Sequence, residues 1–242
     1  MVERANGKPR FPSFPFLAAA AAGMGFTFVL VFAWVPTEAT QGLIQRVFYF
    51  HVPCAWVSFL GYGITAFAGI LYLRKREDRW DDLAGASAEI GVLFGALVLI
   101  TGPIWAHREW GTWWEWNLKL TLALVLFLTY ATYLLLRRLL ADGGRRAVLS
   151  AMLAVAGFVN VPFVFIASRF LDRYSLHPGG VIGGRSGGLE PSMLWTLLVS
   201  LASHTLLFGV LLRLRLRVVK AECAVRRIRE DAEERQIENG CI

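Results

Sequence analysis

Two histidines and a cluster of tryptophans are the residues of this chain whose types and spacing could support ligand chemistry. His51 lies in the stretch FYFHVPCAW and His177 in RYSLHPGG, while five of the nine tryptophans fall within residues 105–116, WAHREWGTWWEW. Two imidazoles on opposite sides of a flat iron macrocycle make the axial ligation found in many haem proteins. They are too few for a structural zinc site, which takes four ligands.

The four histidines have different predicted settings. His51 directly precedes a predicted helix whose first turn suits Pro53, so it either binds a ligand at the helix mouth or is an interfacial residue bound to water. His177 precedes a Pro-Gly-Gly run that predicts a turn, and its alternative is a solvent-exposed loop residue. His204 lies within a predicted helix, where we expect a structural hydrogen bond. His107 begins the tryptophan cluster, and the sequence assigns it no role.

The tryptophan cluster predicts a flat apolar surface. Trp110, Trp113, Trp114 and Asn117 share one side of a helical segment, at three- and four-residue spacing. Indoles arranged in this way could stack on the face of a porphyrin or meet it edge-on. The alternative is the aromatic belt at the interfaces of membrane proteins, which accounts for isolated tryptophans but poorly for this string.

Flanking residues complete the candidate site. Trp116 extends the aromatic surface, and Gly111 either allows a ligand to approach closely or sets a turn. Basic side chains near these segments could pair with carboxylates such as haem propionates, or could simply anchor the chain at the interface. These basic residues are Arg108, Lys119, Arg173 and Arg185.

The elements that position these residues are predicted to be membrane helices. The chain is 56% apolar with a mean hydropathy of +0.50. Its apolar residues form runs of about 20 residues, the length that crosses a bilayer core of about 30 Å, and the runs lack the alternation of a β-barrel. The predicted fold is therefore all-α, a polytopic membrane protein with six transmembrane helices. The runs cover residues 16–35, 52–73, 84–105, 118–136, 147–168 and 193–212.

The first run has a second interpretation. It follows a short basic stretch and could be a cleaved signal peptide, but it is longer than a usual signal core and a second helix follows closely. We therefore expect a retained first helix.

The distribution of basic residues predicts the orientation. The N-terminus, the loops at 74–83 and 137–146, and the tail after residue 212 hold 19 of the 25 lysines and arginines. The positive-inside rule places these segments, and both termini, in the cytoplasm. The histidine segments and the tryptophan cluster then share the opposite face. The predicted domains are a six-helix unit, 1–217, and a cytoplasmic tail, 218–242, whose basic start should lie against anionic lipid headgroups.

Three blocks of the sequence resemble the haem exporter protein C family, the cytochrome c maturation protein CcmC. They are FYFHVPCAW, TGPIWAHREWGTWWEWNLKLT and NVPFVFIASRFLDRYSLHPGG, which are similar to the family's outer segment WGTWWxWD and to its histidine in each flanking outer loop. The resemblance covers about residues 34–217. It implies that His51 and His177 are the axial ligands of a non-covalently held b-type haem. It implies a haem platform made of Trp110, Gly111, Trp113, Trp114, Trp116 and Asn117.

The resemblance also implies a function and partners. Family members bind haem at the periplasmic face of the bacterial cytoplasmic (inner) membrane during c-type cytochrome biogenesis, and present it to a membrane-tethered, CcmE-like haem chaperone. They work beside ABC transporter subunits and a small membrane subunit of the maturation system. This sequence contains no GxxxxGK[ST] nucleotide motif, so we expect a haem-transfer protein rather than an enzyme. The pI of about 9.7 comes from the basic flanks and does not indicate nucleic-acid binding.

The sequence departs from the family pattern at two positions. Asn117 stands where the family usually has Asp, and Lys119 stands where it often has Arg. Asn keeps a hydrogen-bonding oxygen but loses the negative charge, which puts a role that needs a carboxylate in doubt and leaves a role in helix entry intact. Glu115 would point elsewhere in a regular helix, so we do not expect it to substitute.

Two other functions fit parts of the pattern. A haem lyase-like cytochrome c synthetase would share the tryptophan segment, although such proteins are generally longer and have more helices and histidines. A haem or small-solute permease subunit should carry polar groups inside its helices, for which Glu89 and Asn160 are the candidates. Haem retention by the purified protein would favour haem handling over permeation, and ligation without the chaperone would favour the lyase.

Overall fold

The structure, a computed structural model, describes residues 14–141, 143–170 and 189–240, which fold into helices with no strand among them. The first helix, α1 at Phe14–Val29, continues as a π-helical turn at Leu30–Trp34, and a 3₁₀-helix at Leu43–Val47 leads into the second, α2 at Phe48–Lys75. The α-helices are α1 Phe14–Val29, α2 Phe48–Lys75, α3 Asp78–Trp110, α4 Leu118–Leu139, α5 Gly144–Phe158, α6 Asn160–Phe170 and α7 Pro191–Gly240.

Six helical segments of the described chain are long and apolar enough to cross a membrane, which confirms the predicted all-α class and the six transmembrane helices. Helices α5 and α6 together form the fifth of these segments. Helix α7 is 50 residues long, or about 75 Å at a rise of 1.5 Å per residue. Since residues 210–239 contain neither Gly nor Pro, the helix continues unbroken well beyond the length of a bilayer core.

Helices α2 and α3 form a closely packed antiparallel pair. A Cβ atom added to Gly61 would lie only 2.8 Å from the Cα of Gly91, so the two backbones touch where both helices have a glycine. The Ser58 hydroxyl donates to the Gly91 carbonyl at 3.0 Å. Small residues allow this approach between membrane helices, and the contact fixes how the rest of α2 is aligned with α3.

A buried tyrosine pair joins the middle of the bundle. The rings of Tyr62 in α2 and Tyr130 in α4 stack with centroids 3.9 Å apart. The Tyr130 hydroxyl lies 3.2 Å from the Tyr62 carbonyl and 3.0 Å from the Ala154 carbonyl, so it can donate to α2 or to α5. These contacts hold α4 and α5 against the α2–α3 pair.

Ion pairs cluster at the end of the bundle opposite His51. Asp81 of α3 accepts hydrogen bonds from Arg137 of α4 and from Arg146 of α5, and its side chain is only 9% exposed. Glu89 accepts from Arg215 of α7, with Nη2 at 2.9 Å from Oε1. These ion pairs therefore tie α3 to α4, α5 and α7 in the half of the bundle away from His51.

Candidate functional site

His51 lies inside the first turn of α2, and the prediction that it directly precedes the helix was wrong. The helix already begins at Phe48, which puts Pro53 in its interior, where proline cannot donate to the carbonyl four residues earlier. That carbonyl belongs to Tyr49, and it accepts instead from the Ser200 hydroxyl of α7 at 2.6 Å. A partner from another helix thus permits an earlier start, and it ties α7 to the backbone beside His51.

The His51 ring is held against α3. Its Nδ1 lies 2.8 Å from the Thr101 hydroxyl. A Cβ atom on Gly102 would lie 3.3 Å from the ring's Cε1, so the glycine makes room for the imidazole. Sequence reasoning missed both α3 residues, and the available signal was a Thr-Gly-Pro triplet near the end of an apolar run. In known metal sites the other ring nitrogen of a ligating histidine almost always donates to a nearby oxygen, and the Thr101 hydroxyl oxygen has that position next to His51.

The tryptophan segment, residues 105–117, is helical only in its first half. Helix α3 ends at Trp110, and Gly111 adopts φ +74° while its N–H donates to the His107 carbonyl at 3.1 Å. A glycine in the left-handed region is a common helix terminator, and residues 111–117 that follow are irregular. The predicted helical stripe of tryptophans is therefore wrong, because the turn at Gly111 changes the direction of the chain.

Aromatic contacts organise the segment in place of helical spacing. His107 and Trp113 stack with centroids 4.2 Å apart and an interplanar angle of 4°. Trp105 and Trp110 meet edge-to-face at 5.1 Å. His107, which the sequence left without a role, thus supports the first part of the segment.

The second half of the segment contains both exposed and buried indole groups. Trp113 is 59% exposed and Trp116 is 77% exposed, which leaves flat apolar surface uncovered by the protein. Trp114 meets Trp116 edge-to-face at 5.8 Å. Its Nε1 donor is buried and has no hydrogen-bond partner among the described residues. The segment thus combines apolar faces with a buried donor.

Asn117 is the N-cap of α4. Its Oδ1 accepts from the Leu120 N–H at 2.9 Å, and its carbonyl accepts from the Thr121 hydroxyl at 2.8 Å. Asn and Asp cap helices about equally well, so the residue found here and the usual family residue can make the same contact. The structure therefore gives position 117 a helix-entry role that needs no charge.

His51 and the tryptophan segment occupy the same end of the bundle. His51 contacts Thr101 and Gly102 of α3, and the tryptophan segment begins at Trp105, one turn later in the same helix. His204 is buried, and its Nδ1 lies 2.8 Å from the Ser200 carbonyl, so it makes the structural hydrogen bond that the sequence predicted. His177, together with Arg173 and Arg185, lies outside the described residues.

Residues 8–232 match the family described as Heme exporter protein C, CcmC. The chain belongs to this family. It is 34% identical to Heme exporter protein C of Bradyrhizobium diazoefficiens, over 89% of this chain and 80% of the relative. It is 29% identical to Heme exporter protein C of Escherichia coli strain K12, over 84% of this chain and 82% of the relative. Membership of the heme exporter protein C family gives this multi-pass membrane protein a role in haem handling for c-type cytochrome maturation, together with other components of that system.

Proposed function

We propose that the bundle end formed by His51 and the tryptophan segment binds haem as cargo, and that the chain presents this haem to a membrane-tethered haem chaperone. The observation that carries the proposal is the setting of His51, whose Nδ1 is 2.8 Å from the Thr101 hydroxyl and whose ring rests on Gly102. An imidazole that is hydrogen-bonded through one ring nitrogen can bind a metal through the other. Helix α3, which holds this ring, continues directly into the tryptophan segment.

The groups at this end of the bundle fit the chemistry of haem. A porphyrin has flat apolar faces, which the exposed indoles of Trp113 and Trp116 can cover. Its propionates are hydrogen-bond acceptors, and the buried Nε1 donor of Trp114 has no acceptor among the described residues. Lys119, in the first turn of α4 directly after the segment, carries a positive charge and can pair with a propionate. His177 is the proposed second axial ligand.

We place this end of the bundle at the periplasmic face of the bacterial cytoplasmic membrane, with both termini in the cytoplasm. The support is the charge asymmetry of the sequence, since 19 of the 25 basic residues lie in the N-terminus, the loops at 74–83 and 137–146, and the tail after residue 212. The chaperone would then meet the cargo on the periplasmic side. The proposed partners are a CcmE-like chaperone, the subunits of an ABC transporter and a small membrane subunit.

The contacts of the two candidate permeation residues favour haem handling over a permease. Glu89 pairs with Arg215, and the Asn160 amide donates to the Leu122 carbonyl at 2.8 Å. Both polar groups are used to join helices of the bundle. A solute pathway requires polar groups that a passing solute can contact, and these two are engaged with the protein.

Absorption spectroscopy of the purified protein tests the haem site. The parent should retain haem with a low-spin oxidised spectrum, and His51→Ala or His177→Ala should shift the spectrum or lower the haem content. His107→Ala is the control for the spectrum, because it removes a histidine at the same end of the bundle that is not a proposed ligand. It should keep the low-spin spectrum, and any fall in its haem content reports the loss of its stacking on Trp113. Loss of the low-spin spectrum in all three variants would show general damage to this end and would contradict specific ligation.

Transfer to the chaperone is tested separately. Haem-loaded protein mixed with a purified CcmE-like chaperone should lose haem to it, and the His51→Ala variant should transfer less. Attachment of haem to a c-type cytochrome by this chain without a chaperone would contradict the proposal and would indicate a lyase instead.

A further inference from the structure

We infer that Thr101 is a positioning residue that fixes the tautomer of His51, so that Nε2 carries the lone pair offered to haem iron. This inference rests on the proposed function, because it specifies how the same histidine binds the same cargo. It assigns a role to an α3 residue that touches the ligating side chain and not the haem itself.

The Thr101 hydroxyl has a single proton to donate. The Oγ1 atom lies 2.7 Å from the Leu97 carbonyl, four residues earlier in α3. A carbonyl only accepts hydrogen bonds, so the hydroxyl proton is directed to Leu97. The same Oγ1 lies 2.8 Å from His51 Nδ1. Since its proton is already used, Oγ1 accepts here and Nδ1 must be the donor.

A neutral imidazole has one N–H and one lone pair. With the proton on Nδ1, the lone pair is on Nε2, which is the form that coordinates a metal through that atom. The opposite tautomer would place the proton on Nε2 and require the Thr101 hydroxyl to turn away from Leu97. The chain of bonds from His51 through Thr101 to Leu97 therefore selects the competent form before haem arrives.

The packing of α2 on α3 keeps the ring in place. Gly102 lies against Cε1, the ring carbon between the two nitrogens, and the Gly61–Gly91 contact holds the two helices at close range further along the pair. Loss of the group that hydrogen-bonds a metal-ligating histidine typically lowers metal affinity by about 10–100-fold. We expect a loss of this size when the Thr101 hydroxyl is removed.

Nuclear magnetic resonance of the haem-free protein in detergent, with ¹⁵N-labelled histidine, reads the tautomer directly. The His51 signals are assigned by their loss in His51→Ala. We expect the Nδ1–H form in the parent and in Thr101→Ser, which keeps a hydroxyl, and a population of the Nε2–H form in Thr101→Val and Thr101→Ala. A parent in the Nε2–H form, or hydroxyl-free variants that match the parent, would overturn the inference.

Haem titration of the same variants supplies the second readout. Thr101→Val and Thr101→Ala should bind haem about 10–100-fold more weakly, while Thr101→Ser should resemble the parent. Thr129→Val is the matched control, because Thr129 makes the same bond to a carbonyl four residues earlier, at 2.8 Å from Val125, far along the sequence from His51. Circular dichroism should show equal helix content in all variants.

The haem site and the positioning role of Thr101 are tested by different variants. If His51→Ala binds haem as the parent does, the proposed function is wrong, whatever the Thr101 variants do. If His51→Ala loses haem while Thr101→Val binds with parental affinity, the haem site stands and the positioning role is wrong.

Discussion

Replacement of Asn117 separates a capping role from a role for charge at the entry to α4. Asn117→Leu removes the oxygen that accepts from the Leu120 N–H at 2.9 Å. Loss of an N-cap acceptor costs about 1 kcal/mol, with a range of about 0.5–2 kcal/mol. At room temperature 1 kcal/mol corresponds to about a five-fold change in an equilibrium, so opening of the first turn of α4 should increase about five-fold.

Hydrogen exchange of a peptide covering residues 118–121 measures this opening. We expect faster exchange in Asn117→Leu, and parental or slower exchange in Asn117→Asp, which keeps the cap and adds about 0.3–1 kcal/mol of favourable interaction with the helix dipole. Residues 130–139 of the same helix serve as the internal control. Asn117→Leu should also retain less haem, because Lys119 lies in the loosened turn, while Asn117→Asp should retain haem as the parent does.

Two outcomes would refute this reasoning. Unchanged exchange in Asn117→Leu would show that the cap contributes nothing measurable to the helix start. Parental exchange combined with haem loss in Asn117→Asp would show that the absence of charge at this position, and not the cap, is what the site requires.

Three further predictions concern the rest of the molecule. Asp81→Asn leaves Arg137 and Arg146, whose side chains are only 15% and 20% exposed, without their carboxylate and should lower the free energy of unfolding by about 3–5 kcal/mol. Glu77→Gln, at an exposed pair with Arg79, should cost less than about 1 kcal/mol. Denaturation in detergent followed by circular dichroism compares the two variants, and equal costs would contradict a structural role for the Asp81 ion pairs. Gly111→Ala should destabilise the end of α3 by about 1–2 kcal/mol, since φ is +74° there, and should therefore speed hydrogen exchange of residues 107–113. Gly25→Ala is the control, because Gly25 has open space around it, and it should leave that exchange unchanged. Parental exchange of residues 107–113 in Gly111→Ala would contradict the predicted strain. A membrane-impermeant thiol reagent should label Trp116→Cys from the periplasmic side and Cys223 only from the cytoplasmic side, in a background without the other cysteines; the reverse pattern would invert the proposed orientation.

The six membrane helices could be predicted from sequence because their signal is local. A run of about 20 apolar residues must satisfy its backbone within itself in lipid, whatever its neighbours are. The predicted helix starts were less accurate than the predicted helices, and the start of α2 shows the reason. Pro53 makes a helix start near residue 52 the simplest expectation, but Ser200, far along the chain, accommodates the Tyr49 carbonyl that proline leaves free. A local pattern cannot contain that partner.

The candidate site divides in the same way. His51 and the tryptophan segment were found from residue type and spacing, whereas Thr101 was missed because its contact with His51 depends on the alignment of α2 and α3. That alignment follows from the glycine contact at Gly61 and Gly91. The prediction of a helical stripe of tryptophans was wrong for a different reason. The three- and four-residue spacing favours a helix, but Gly111 interrupts the stretch. Gly111 favours a left-handed turn, and a single turn is sufficient to end the helix.

The two parts of the proposed site differ in how firmly the protein holds them. His51 lies on a helix pair whose backbones touch, and Thr101 and Gly102 set the position of the His51 ring. Residues 111–117 are irregular, and two of their indoles are largely exposed, with one end set by Gly111 and the other by the Asn117 cap. Exposed irregular segments open at a lower free-energy cost than packed helices. A cargo held on one side by a fixed ligand and on the other by such a segment can be released when the segment moves, while the helix bundle stays intact. For a protein proposed to pass haem to a chaperone, the α2–α3 pair would then determine which ligand is bound, and movement of the tryptophan segment would release it.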